Sequence, residues 1–148
     1  MKRFRKILHP TDFSRASGGA FATAVDLTKQ NRAELLLVHV ILPPITFIGD
    51  GYASPKTHEA LEASARRDAQ KRISALLAKA KKARVRARAI LLEGTAHDQI
   101  VRIARARRAD LIVMGTHGRT GVSRFFIGSV AEKVIPLAPC PVLIVRGR

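Results

Sequence analysis

Tryptophan is absent from this chain of 148 residues, and tyrosine and cysteine each occur once, as Tyr52 and Cys140. A lone cysteine excludes an internal disulfide. It stands between two prolines at the start of a candidate strand, where its default role is a small buried hydrophobe. Long apolar runs are also missing. The longest, Leu35 to Leu42, is too short to cross a bilayer and carries His39. The basic N-terminus MKRFRKILHP offers only Ile7 and Leu8 before polar residues resume, which is not a signal-peptide pattern. These absences point to a soluble cytoplasmic protein. The length fits one domain spanning 1–148. With 47% apolar residues the chain can bury a real core.

Negative charge is scarce as well: 11 acidic residues face 27 lysines and arginines, a formal net charge of +16. Such a balance favours anionic partners. The cations are spread through ARRDAQKR, AKKARVRAR and RIARARR without interleaved aromatics, so base-stacking platforms are not signalled. Solvated helix faces account for the charge more simply. A nucleic-acid or acidic-protein partner remains a second reading.

The apolar pattern supplies the elements. FRKILHP (4–10) is a short apolar core with a proline stop, a strand. Residues 14–32 place Phe21, Ala24, Val25 and Leu27 near helical spacing, although Gly18 and Gly19 weaken the helix or mark close packing on a sheet. AELLLVHVI (33–41) reads as a strand buried on both faces. The Pro- and Gly-rich stretch 42–55 reads as a loop. Ser54 then caps a helix with Pro55 in its first turn. Leu61, Ala65, Ala69, Ile73, Leu76, Leu77 and Ala80 make its apolar stripe. A strand at 83–94 follows. Thr95-Ala-His-Asp98 forms a capping box for a helix ending near Arg107. ADLIVMG (109–115) is a buried strand, a last helix runs from Ser129 to just before Pro136, and CPVLIVR (140–146) is the final strand. Strand and helix alternate four times before a closing strand, so the fold is α/β, a parallel sheet with helices on both faces.

One stretch carries candidate chemistry. MGTHGRTGVSRFFIGSV (114–130) holds Gly115, Gly118, Gly121 and Gly128 between a strand and a helix. No lysine follows a glycine here, so a Walker A loop is excluded, and the G-x-G-x-x-G dinucleotide spacing also fails. What stands is Gly115-x2-Gly118-x9-Gly128-Ser129. Ser129-Val-Ala-Glu132 is a second capping box, which marks Ser129 as a helix cap, a phosphate donor, or both. The N–H groups of Gly128, Ser129 and Val130 at a helix N-terminus favour an anion. Thr116, His117, Arg119 and Ser129 can add donors. In an open parallel sheet ligands sit beyond the carboxyl ends of the strands, and the ends at Pro10-Thr11-Asp12, His39-Val40 and Met114-Gly115 converge there. Asp12 suits a ribose hydroxyl or a metal-bound water; its plainer role is to cap the next helix.

KILHPTDFS (6–14), LLLVHVI (35–41) and DLIVMGTHGRTGVSRFFIGSVAEKVIPLAPCPVLIVR (110–146) resemble the universal stress protein family, in its ATP-binding branch, over nearly the whole chain. The resemblance implies a single open five-stranded parallel sheet of order 3-2-1-4-5 with two helices on each face, Rossmann-like and similar to the adenine nucleotide alpha hydrolases. It implies an ATP site, or one for ADP or AMP, in a stress-response regulator. Pro10, Thr11 and Asp12 match the adenosine side, and Val40 matches the residue whose backbone recognises adenine. Met114 and Gly115 line the nucleoside and phosphate side. His117, Gly118, Gly128, Ser129 and Val130 match the loop around the triphosphate, with Arg119 beside them. The resemblance also implies a homodimer through the last strand, about Pro141–Val145. Two features depart from it: Pro136 shortens the last helix, and the +16 charge leaves room for a further anionic partner.

Binding is favoured over catalysis. Hydrolysis calls for a positioned water and a metal held by carboxylates. Asp12 is the one acid placed at the site, able to reach Mg2+ through the nucleotide; Asp50 and Glu93 could approach. The five scattered histidines and one cysteine do not signal a transition-metal site. A slow ATPase or phosphotransferase is the alternative. Arg119 to Ile127 should form an arm along the triphosphate, with Arg119 and Arg124 as sensors and Gly121 tolerant of change.

Overall fold

The computed structural model describes residues 2–43, 47–48, 51–52, 54–116 and 127–147. Strand β1 (Lys6–Pro10) leads into helix α1 (Arg15–Asn31), then β2 (Glu34–Ile41). A two-residue pair, β3 (Phe47–Ile48) and β4 (Gly51–Tyr52), precedes α2 (Pro55–Lys82). β5 (Arg86–Glu93), α3 (Ala96–Ala106), β6 (Leu111–Gly115), α4 (Ser129–Leu137) and β7 (Val142–Val145) complete the order. The main sheet has five parallel strands in the order β5-β2-β1-β6-β7. Numbered among themselves these are 3-2-1-4-5. Helices α1 and α2 cover one face; α3 and α4 cover the other.

Both faces of the central strands are buried, which explains their unbroken apolar runs. In β2, Leu35 and Leu37 join Ile7, Val113 and Ile73 under α1 and α2. Leu36 and Val38 alternate to the opposite side with Leu8, Ile112, Ile100 and Val134. Asp110 ties the start of β1 to that of β6. Its carboxylate accepts the N–H groups of Arg5 at 2.7 Å and Lys6 at 2.9 Å. Burial alone would raise its pKa. The two backbone bonds, with the charges of Lys2 and Arg5, outweigh that and hold it below the usual carboxylate value.

The structure corrects the sequence reading at several points. The stretch 42–55 contains the β3–β4 antiparallel pair and is not loop throughout. Pro136 does not stop α4, which continues to Leu137. A proline one residue from a helix end removes a single internal bond, to the carbonyl of Glu132. Glu132 is exposed, so water can serve that carbonyl. Thr95 stands at the N-cap of α3 but makes no side-chain capping bond, and Asp98 pairs with His97 at 3.2 Å. Ser54 does cap α2, accepting the N–H of Thr57 at 3.2 Å. The apolar stripe of α2 is buried only from Ala69 onward, at Ala69, Ile73 and Ala80, and Leu61 is exposed. A helix of 28 residues is about 42 Å long, so its first turns overhang the shorter strands. In α1 only Gly19 approaches the sheet, at Val145, while Gly18 has open space beside it.

Candidate functional site

In register, Pro10 at the end of β1 lies opposite Val38 of β2. Beyond that point β1 turns away and β2 continues alone on that side. The Thr11 N–H reaches the Val38 carbonyl at 2.8 Å, so Val38 directs its backbone groups towards β1. Backbone direction alternates along a strand, so Val40 presents its N–H and C=O to the same side, where no strand follows among the described residues. β6 ends nearby at Gly115. A cavity of about 410 Å³ fills the space between these strand ends and the start of α4, a size typical of small-molecule sites.

Nine of the residues matched to a nucleotide site in the sequence line this one cavity, as do His39 and Thr116. Pro10, Thr11 and Asp12 come from the end of β1, and Val40 from β2. Met114 and Gly115 come from β6, and Gly128, Ser129 and Val130 from α4. His117, Gly118 and Arg119 lie outside the described residues, as do Gly121, Arg124 and Asp50. Sequence reasoning missed Ala96, Ile100, Ile127, Ala131 and Glu132, which also line the cavity. The signal for Ala96 and Ile100 was available: a helix that follows a parallel strand begins at the same carboxyl edge.

The loop after β1 is held by its own polar atoms. The Thr11 and Ser17 hydroxyls are 2.9 Å apart, and the Phe13 N–H donates to Thr11 Oγ1 at 3.0 Å. Asp12 is not the cap of α1. Ser14 caps it, accepting the Ser17 N–H at 3.3 Å. Asp12 Oδ1 instead accepts the Ser14 N–H at 2.9 Å and so steadies the cap residue. Phe13 has φ 63°, a strained value for a residue with a Cβ. Its ring lies 4.4 Å from that of His39, whose Nδ1 donates to the Thr11 carbonyl at 2.7 Å.

At the other end of the cavity Gly128, not Ser129, is the N-cap of α4, and no side chain among the described residues caps the helix. Ser129 is therefore the first helical residue. The Gly128 N–H is not available to a ligand, because it donates to the Thr116 carbonyl. Helix geometry leaves the N–H groups of Ser129, Val130 and Ala131 without partners inside the helix, and all three residues line the cavity. Thr116 also donates its N–H to Val145 at 3.1 Å, joining the ends of β6, β7 and α4.

Gly115 answers to packing. Its φ is unremarkable, but an added Cβ would lie 3.2 Å from the Ala16 carbonyl oxygen in α1. Glu93 does not approach the site; it is exposed and pairs with Arg66. Asp12 and Glu132 are the lining carboxylates among the described residues. No cluster of three or more metal-ligating side chains occurs among those residues. Cys140 is half-buried, and burial, then the charge of Asp110, raises its thiol pKa.

His9, one residue before the cavity wall, is fully buried. Its Nδ1 lies 2.8 Å from the Val113 carbonyl. A carbonyl only accepts, so Nδ1 carries the proton. Nε2 has no partner among the described residues. Burial pushes the pKa from 6.5 down to about 4, against smaller opposing effects of the Val113 bond and the Asp12 charge.

The sequence model of the universal stress protein family matches residues 3–146. This chain belongs to the universal stress protein family. It is 37% identical to a universal stress protein of Thermus aquaticus, over 97% of this chain and 99% of the relative. A relative in Methanocaldococcus jannaschii is 35% identical, over 97% of this chain and 82% of the relative. A second universal stress protein of that archaeon has a solved structure that superposes with a TM-score of 0.88 at 27% identity, covering 99% of each chain. At lower identity the likeness is one of fold. The universal stress protein of Archaeoglobus fulgidus, solved with dAMP, has a TM-score of 0.69 at 23% identity over 97% of this chain and 98% of its own. One from Arabidopsis thaliana, with AMP bound, has a TM-score of 0.69 at 18% identity, over 97% and 92%. No helix among the described residues is long and apolar enough to cross a membrane.

Proposed function

We propose that this universal stress protein binds an adenine nucleotide, ATP or its di- or monophosphate, in the cavity at the strand ends, and acts as a cytoplasmic stress-response regulator built as one domain. One observation carries the reading. The backbone edge of Val40 and the N-terminus of α4, neither of which has a partner or cap among the described residues, border the same cavity. An adenine ring needs one donor and one acceptor side by side, which the Val40 N–H and C=O offer. Phosphates need converging N–H groups and a favourable dipole, which Ser129, Val130 and Ala131 offer. Apolar walls at Pro10, Met114 and Ile100 suit a ring between them, and Asp12, which lines the same cavity, would take the ribose. His117, Gly118 and Arg119 complete the proposed phosphate side, and Mg2+ held through the nucleotide would meet Asp12. Adenine nucleotides bound to fold relatives support the same class of ligand.

Heating the purified protein should release adenine nucleotide identifiable by mass. ATP or AMP added to the stripped protein should raise its melting temperature, and GTP should not. An empty supernatant together with no response to adenine nucleotides would reject the reading.

A homodimer through β7 is part of the proposal. β7 is an edge strand of four apolar residues, and its Leu143 is 38% exposed. Such an edge invites cover. Light scattering should give twice the chain mass of 16.2 kDa, and Leu143→Arg should halve it. A wild-type monomer at micromolar concentration would exclude this interface.

A further inference from the structure

Helices α1, α2 and α3 end in the same way, and the sequence repeats with them. Lys29-x2-Arg32-Ala33, Lys81-x2-Arg84-Val85 and Arg105-x2-Arg108-Ala109 share one pattern. In each, the arginine N–H reaches back three residues, at 3.2, 2.9 and 3.1 Å. The next N–H reaches back five, at 2.9, 3.3 and 2.9 Å. This is the Schellman closure, whose left-handed position is filled by glycine by default. Here it holds arginine three times, at φ 51°, 63° and 54°. The apolar residue after each is buried, and each arginine is exposed. A Cβ is strained in that conformation. A cation that merely offsets the helix dipole does not need the position, since Lys29, Lys81 and Arg105 already stand in the last turns.

The three turns lead into β2, β5 and β6. The strand order therefore sets Arg84, Arg32 and Arg108 in a row, and exposed Lys2 and Arg5 at the start of β1 fill the gap before Arg108. Four adjacent strands span about 14 Å. Among the described residues, Glu34 pairs with Arg88 at 2.7 Å outside the row, and Asp110, bonded to the backbone of Arg5 and Lys6, offsets part of the charge of Lys2 and Arg5 and leaves the row with a surplus of cations. This row occupies the amino ends of the strands, a strand length of roughly 26 Å from the nucleotide cavity.

We propose that this pole is a docking surface for the phosphate backbone of double-stranded DNA. The cations form an exposed row and do not converge on a pocket, so they suit an extended polyanion rather than a single phosphate. Guanidinium groups take phosphate oxygens in pairs. A duplex carries a charge about every 1.7 Å along its axis with both strands counted, so a length of about 14 Å holds roughly eight phosphates, about four of them on each strand. The lack of interleaved aromatics argues against base stacking, not against phosphate contact, and makes the binding indifferent to sequence. A lipid surface would call for several apolar side chains among the cations. Among the described residues, Leu137 is an exposed apolar neighbour, at the β6 end beside Arg105.

The test is fluorescence anisotropy of a mixed-sequence DNA duplex with the full chain, between about 50 and 200 mM salt, where such binding weakens steeply. The Arg32→Gly, Arg84→Gly, Arg108→Gly triple variant should lose at least about tenfold in affinity. Its salt slope should fall by about 2.7, for three phosphate contacts. Because glycine relieves the left-handed turns, its melting temperature should hold or rise, which separates lost binding from lost folding. Lys56→Gln, Arg67→Gln, Lys71→Gln removes equal charge from exposed positions of α2 away from the row and should stay within about threefold of wild type. No wild-type binding at low salt, equal losses in both triples, or binding to phosphatidylserine vesicles but not to duplex would each overturn the proposal. The thermal response to adenine nucleotide, at the other end of the sheet, should survive in the glycine triple whatever the duplex result.

Discussion

Replacing Ser129 by proline should lower ATP affinity about 10- to 100-fold and leave the fold intact. Proline is welcome at the first helical position, because its missing N–H has no partner inside the helix. The residue before a proline must be extended, and Gly128 already has φ −57° and ψ 152°. The substitution thus removes one N–H and one hydroxyl from the proposed phosphate end without requiring backbone movement. A hydrogen bond to a charged acceptor contributes about 1.5–3 kcal/mol, which sets the expected loss. Adenosine, lacking phosphate, should bind the variant and the wild type alike. Calorimetric titration with both ligands checks this. Unchanged ATP affinity would place the phosphates elsewhere, and an equal loss for adenosine would mean that the substitution damaged the cavity itself.

Acidification from pH 7 to pH 4 should remove about 3 kcal/mol of stability through His9 alone. The folded protein holds this imidazole neutral, with its pKa lowered from 6.5 to about 4. Between those values the unfolded chain binds a proton that the folded chain refuses. Stability from this group is therefore complete above pH 6.5 and falls as pH drops towards 4, where the folded form begins to protonate. Burial sets the direction, because Nε2 would gain a charge with no described partner to receive it. Asp110 titrates in a different window. Its carboxyl is held below its usual pKa of 3.8, so its contribution is lost only at lower pH. Urea unfolding of wild type and His9→Leu at pH 7 and pH 4 isolates the effect as a difference of differences. Parallel losses in the two proteins would show that His9 stays neutral in the unfolded chain too, or is already charged when folded.

The sheet and its helices were legible because apolar runs and their periods are local properties. Leu35 to Val38 are buried on both sides, and their unbroken run says so. Capping was less legible. The same Ser-x-x-Glu spacing that suggests a box at Ser129 is compatible with a cap one residue earlier, and only the backbone angles of Gly128 decide. The short β3–β4 pair was hidden because two residues per strand carry no period. At the site, lining residues adjoining the proposed motif were easy to find, since one strand end and one helix start bring them together. Ala96 and Ile100 were not, because nothing in their identity marks them. They reach the cavity through topology. Gly115 looked like a turn glycine, while its neighbour Ala16 comes from ninety-nine residues earlier in the chain.

The two rims of the main sheet are dressed differently. β5 carries exposed Arg86 and Arg88, and β7 is Val-Leu-Ile-Val. An incoming strand at β5 would meet like-signed charge if it brought the basic surface of a second copy, whereas β7 offers an uncharged partner to another β7. Self-association by strand addition can then use one rim per molecule. A fibre needs two such rims and a closed pair needs one, so the arginines of β5 would set the ceiling on how far this sheet can be extended.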